Sequence, residues 1–227
     1  IERIRTLNLD DFRCVTLEMG FPGRGTAGDL EKAIDDLCRR AEAAVASGHR
    51  FLILSDRDLP PDRAPIPALL AVSAVNLHLV QKAMRTSTSL IVETGEAREV
   101  MHMALLLGYG AAAINPYLAF EVVADQVARG DLKVSIAEAI ENYIKALCKG
   151  LLKTMSKSGI STLRSYRSAQ VFEAIGLNSE LVSRYFDGTA SRIGGIGLEE
   201  IAKEANARYL AVVDPPAVTP PILPSGG

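Results

Sequence analysis

The sequence predicts an α/β fold: a partial (β/α)8-barrel-like run of parallel βα repeats, followed by a mainly helical C-terminal region. Two observations carry this. Up to residue 117, short apolar runs alternate with longer amphipathic stretches, the order strand, helix, strand that builds a parallel sheet. After Asn115 the apolar residues fall mostly at helical spacing, and no strand is expected beyond Ile114.

Phe12–Leu17 reads as the first strand and Gly20–Gly28 as a glycine-rich loop. Leu30, Ala33, Ile34, Leu37, Ala41, Ala44 and Val45 then share one helical face between Asp29, read as the cap, and Gly48. Arg50–Leu54 is a buried strand, and Ser55–Ala64 a polar, proline-containing loop. Pro67 to Arg85 is a helix with proline in its first turn, where the missing N–H costs nothing. Ser89–Val92 is a strand, Glu93–Glu96 a polar turn, and Arg98 to Leu107 a helix facing inward at Val100, Met103, Ala104 and Leu107. Gly108, Tyr109 and Gly110 end it, and Ala111–Ile114 is the next strand. Tyr117–Ala128, Ile136–Ser156, Ser168–Ile175, Asn178–Phe186 and Leu198–Ala211 read as helices. The division expected is a βα-repeat half-barrel over 1–117, a helical extension over 118–211 and a proline-rich linker over 212–227.

A net charge of −2, with no basic stripe interleaved with aromatics, argues against a nucleic-acid partner. No apolar run has the length of a membrane span and no signal peptide is evident. Cys14, Cys38 and Cys148 are scattered and odd in number, without CxxC spacing. They read as reduced thiols of a cytoplasmic protein, not as ligands of zinc or an iron–sulfur cluster.

In a barrel, residues just after each strand converge on one face, where active sites lie. Here these are Asp56, Arg57, Glu93, Glu96 and Asn115, with Arg98 close behind. An acid–base or cation pocket is one reading. The favoured one is a salt-bridge network that ties loops together, because opposite charges are neighbours and no histidine or nucleophile accompanies them. His78 and His102 fall within predicted helices and show no metal face. Ser161–Arg167 mixes hydroxyls, guanidinium groups and apolar residues. Arg164, Tyr166 and Arg167 there are taken as an interdomain docking surface, with Tyr166 and Arg167 partly exposed. Gly194–Gly197 reads as a flexible turn before a helix rather than a phosphate loop.

Two long blocks are more specific than any short motif. SLIVETGEAREVMHMALLLGYGAAAINPY runs from Ser89 to Tyr117, and KGLLKTMSKSGISTLRSYRSAQVFEAIGLNSELVSRYFDGTASRIGGIGLEEIAKEA from Lys149 to Ala205. With LILSDRDLPPDRAPIPALLAVSAV (Leu52–Val75) and NPYLAFE (Asn115–Glu121), they resemble the central region of the glutamate synthase large subunit. Asn76, Leu77 and Met101 stand where that family usually carries histidines.

The resemblance implies one piece of an amidotransferase and oxidoreductase that makes glutamate from glutamine and 2-oxoglutarate. Its partners would be the glutaminase and FMN domains of the same polypeptide. FMN and an iron–sulfur cluster are implied for the full enzyme and neither for this piece, whose expected role is structural and ammonia-channelling. The piece alone is expected to be inactive. The alternative is an independent small-molecule enzyme on a barrel scaffold with an acidic pocket.

The Glu93-Thr94-Gly95-Glu96 turn stands where a flavin barrel would cradle phosphate, and its carboxylates repel an anion. Titrating this chain into FMN should therefore give no saturable quenching of flavin fluorescence; micromolar saturation would overturn that expectation.

Overall fold

The computed structural model describes residues 1–6 and 12–215. A short helix α1 (Glu2–Arg5) precedes four successive βα units. These are β1 (Cys14–Glu18) with α2 (Ala27–Ala46), β3 (Phe51–Ser55) with α3 (Ala68–Gln81), β5 (Ser89–Glu93) with α4 (Val100–Gly108), and β6 (Ala113–Asn115) with α5 (Tyr117–Ala128). The strands form one parallel sheet in the order β1-β3-β5-β6, the parallel βα repeat the sequence predicts. Its register is level. Cys14, Phe51 and Ser89 start together, and Glu18, Ser55, Glu93 and Asn115 end in one row.

β3 and β5 are central and buried on both faces, hence their unbroken apolar runs FLIL and LIV. Alternation along the pleat sends Leu52, Leu54, Leu90 and Val92 into the core beneath the helices, and Ile53 and Ile91 to the opposite face. α3 is apolar nearly all round because it lies between α2, α4 and a later helix. α2 is capped by Thr26, not Asp29; Asp29 occupies the third helical position and completes a capping box by accepting from the Thr26 N–H. The Gly20–Gly28 segment is not loop throughout. β2 (Gly20–Pro22) pairs antiparallel with β4 (Arg63–Pro65) as a small ribbon beside the sheet.

The C-terminal part holds α6 (Ile136–Lys157), α7 (Leu163–Tyr166), β7 (Glu173–Leu177), α8 (Ser179–Tyr185), β8 (Ala190–Ile196) and α9 (Leu198–Val213). Two expectations are corrected here. Ser168–Ile175 is not a helix, and strands do occur beyond Ile114: β7 and β8 pair in parallel across the α8 crossover. Gly176, Gly194 and Gly195 depress helix formation, while Ile175, Ile193 and Ile196 favour strand. The Gly194–Ile196 segment read as a turn therefore belongs to β8. A Cβ on Gly195 would collide with the Gly176 backbone, so glycine is required at that crossing.

α8 packs on α3, and α9 returns to α2 and β4. Asn206 on α9 fastens that return by accepting from the Arg24 N–H at 2.9 Å and donating to the Gly25 carbonyl at 2.7 Å. Among the described residues no helix is long and apolar enough to cross a membrane.

Tyr166, expected to be partly exposed, is fully buried. Its ring meets Phe172 edge-on at 6.2 Å. The apolar ring of a tyrosine at the end of a one-turn helix is worth more inside than out, even though its hydroxyl finds no partner among the described residues. Tyr166→Ala should cost about 3–5 kcal/mol of stability. Tyr166→Phe should cost nothing or stabilise, since it removes an unpaired buried hydroxyl. Denaturant unfolding of the two variants checks this; equal losses would show that the hydroxyl is bonded after all.

Candidate functional site: a closed polar network at the strand ends

The carboxyl-terminal row of the sheet gathers most of the residues singled out in the loops. β3 and β5 start 38 residues apart and run level, so residues separated by 38 are lateral neighbours. Ser55 thus lies beside Glu93, and Asp56 beside Thr94.

The Glu93 side chain is fully buried. Its Oε2 accepts from Ser55 Oγ at 2.6 Å and from the Arg5 guanidinium. Its Oε1 accepts from Asn115 Nδ2 at 3.0 Å and lies 3.9 Å from Arg57. Burial alone would raise the carboxyl's pKa, but Ser55, Arg5 and Asn115 outweigh it and hold it below the ordinary value. An ionised carboxylate bound on both oxygens is a poor general base.

Asp56 is also buried. It accepts from Thr94 Oγ1 at 2.5 Å and from the Gly95 N–H at 3.0 Å. Burial raises its pKa, against these bonds and that of Tyr117. Tyr117 itself is pushed upward, by burial and then by Asp56. Arg57 closes the group, stacked 5.1 Å over the Tyr117 ring and 3.2 Å from Glu121.

The backbone of the turn is spent as well. The Gly95 N–H serves Asp56, and the Glu96 N–H serves Thr94 Oγ1 at 3.1 Å. A flavin phosphate needs such amides free, so these residues do not fit one. Among the described residues no cluster of three or more His, Cys, Asp or Glu could hold a metal.

Residues 1–178 match the family model described as the glutamate synthase central domain. The chain belongs to that family. It is 51% identical over 181 residues to the glutamate synthase [NADPH] large chain of Bacillus subtilis, covering 80% of this chain and 12% of that one. It is 44% identical over 202 residues to glutamate synthase [NADH] of Schizosaccharomyces pombe, covering 88% and 10%. It spans about a tenth of the length of these curated relatives. Among solved structures, a doubly substituted flavocytochrome b2 with sulfite bound aligns with a TM-score of 0.47 at 18% identity, over 58% of this chain and 32% of that one.

Two members of the predicted loop group stand apart from Glu93 in this central domain. Glu96 caps α3 by accepting from the Ala68 N–H at 2.7 Å, and it pairs with Arg208 at 3.4 Å. The Arg98 N–H donates to His102 Nδ1 and the Arg98 carbonyl accepts from Tyr143. His102 thus caps α4, and His78 pairs with Glu42 of α2 at 2.7 Å. Of the docking residues, Arg164 is exposed and Arg167 half-buried. Arg5, Ser55, Thr94 and Tyr117 were missed from the sequence. Ser55 and Thr94 follow from the 38-residue offset, whereas Arg5 lies 88 residues from Glu93 and leaves no local signal.

The lowered Glu93 pKa gives stability that is full above the unfolded carboxylate pKa and is lost as pH falls through the folded value. Asp56 runs the other way, losing stability as pH rises through its raised folded value. Arg5→Ala should therefore cost about 3 kcal/mol at neutral pH, the order for stranding one partner of a buried pair. It should also flatten the acid side of the stability profile. Urea unfolding across pH checks both; an unchanged acid slope would mean that Arg5 does not hold Glu93 ionised.

Proposed function

We propose that this central domain is a structural and channelling body of a glutamate synthase, joining the part that frees ammonia from glutamine to the FMN part that uses it on 2-oxoglutarate. It carries no catalytic residue and no cofactor of its own in that enzyme, where the FMN and the iron–sulfur cluster lie in other parts of the polypeptide.

The observation that carries this reading is the filled strand-end face. Where a barrel enzyme opens a pocket, four groups of this chain converge on Glu93 and the amides of the next turn are consumed. That filling speaks against an independent enzyme with an acidic pocket. Asp56, Arg57, Glu93 and Asn115 serve instead as a rigid network that sets the height of the loops bordering the ammonia path. Relatives named for NADPH, NADH and ferredoxin match this chain at 51%, 44% and 44% identity. Donor choice therefore lies outside it.

The test uses the full-length enzyme. Glu93→Gln keeps the shape and removes the charge that Arg5 holds. We expect more glutamine consumed per glutamate formed, as ammonia escapes, with flavin content unchanged. An unchanged ratio, or a loss of flavin, would overturn the reading.

A further inference from the structure

The opposite end of the sheet has a different electrostatic character. Arg13 and Arg50 immediately precede β1 and β3, and Arg85 stands shortly before β5. Arg167 joins them because Ser168 donates to the Gly108 carbonyl at 2.7 Å, two residues from the Gly110 carbonyl that Arg85 Nη2 holds at 2.7 Å. Among the described residues the guanidinium groups of Arg13, Arg50 and Arg85 spend hydrogen bonds on neutral acceptors only. Arg13 donates to the Ser47 carbonyl, and Arg50 to the Ser87 carbonyl at 3.1 Å. Arg85 donates to Asn76 Oδ1 at 2.6 Å and to the carbonyls of Thr88 and Gly110, each at 2.7 Å.

Among the described residues none of the four has a carboxylate partner. The carboxylate on the adjoining α2–α3 surface, Glu42, is spent on His78 and Lys82. Burial and the nearby Arg167 charge pull Arg85 down to about 10.

The bland account is that these cations answer the C-terminal ends of α2, α3 and α4, which point to this face. Among the described residues the magnitudes do not balance. Three helix ends supply about −1.5 charges in all, against four guanidinium groups. Neighbouring strands are about 4.8 Å apart, so the row is dense. Phe12, 49% exposed and stacked on Phe51 at 6.1 Å, adds an apolar anchor at its end.

We propose that this arginine row is a docking surface for an acidic segment of the same polypeptide lying outside residues 1–227, whose Asp or Glu side chains pair with Arg13, Arg50, Arg85 and Arg167. The inference rests on the proposed place of the chain inside a larger enzyme. Its support is charge complementarity and the nine-tenths of the relatives' length that lies beyond the match. Guanidinium forks suit carboxylates bidentately, and arginine with an aromatic anchor is the usual make-up of such contacts.

The experiment uses the full-length enzyme carrying Arg50→Lys and Arg167→Lys, which keeps both charges and supplies amines. Carbodiimide coupling without a spacer, followed by peptide mapping, should join position 50 or 167 to an Asp or Glu outside residues 1–227. In a second variant, Arg50→Glu with Arg167→Glu, amide exchange should rise about tenfold or more over residues 84–90 and in that same acidic segment, the change expected when interface charge pairs are lost. Links confined to residues 1–227, or exchange that rises over 84–90 alone, would overturn the proposal. So would protection of this face that appears only when nucleic acid is added. The ratio of glutamine consumed to glutamate formed is not read here, so a failure of docking and a failure of the channelling reading remain distinguishable.

Discussion

The whole strand-end face depends on one buried negative charge. Glu93 sits at the end of the central strand β5 with no exposed surface, and a carboxylate there must be compensated. The compensation comes from four elements: Ser55 of β3, Asn115 of β6, Arg57 of the loop after β3, and Arg5 of α1. Each partner fixes the position of its element, so the charge orders the loops around it. Desolvation works against this arrangement, which is why removing any one partner should matter more than the bare geometry of a salt bridge suggests. Asp56 repeats the pattern one residue on, and there burial outweighs the hydrogen bonds and raises the pKa.

The βα part was legible in the sequence because parallel strands buried on both faces must be apolar throughout and α2, between the first two, is amphipathic. FLIL and LIV leave little else to be. The C-terminal part was less legible. β7 and β8 are glycine-bearing and hold no buried residue, so neither alternation nor an apolar run announces them, and their pairing rests on a backbone crossing at Gly195 and Gly176. Tyr166 misled for a related reason: hydroxyls and cations around it are the signature of an exposed segment, but its ring had a pocket beside Phe172. Within the site, Asp56, Arg57, Glu93 and Asn115 could be grouped from their places after strands. Arg5 could not, because only tertiary structure brings it there.

The two ends of the sheet carry opposite charge logic. At the carboxyl ends, acids are buried and answered by this chain's own cations. At the amino ends, arginines hold carbonyl oxygens and meet no acid among the described residues. Among the described residues one end is thus answered within the chain and the other is not.

The Arg5–Glu93 contact also has a bearing on synthesis. Arg5 is made first and must wait for Glu93, 88 residues later, before its charge has a counterpart. At ordinary translation rates that is roughly 4–18 s. Over that interval β1, β3 and their helices can pack while the face above them lacks its central charge. The nascent chain therefore passes through a stage with most of its apolar core assembled and one end unsealed, and β5 must leave the ribosome before that end can close.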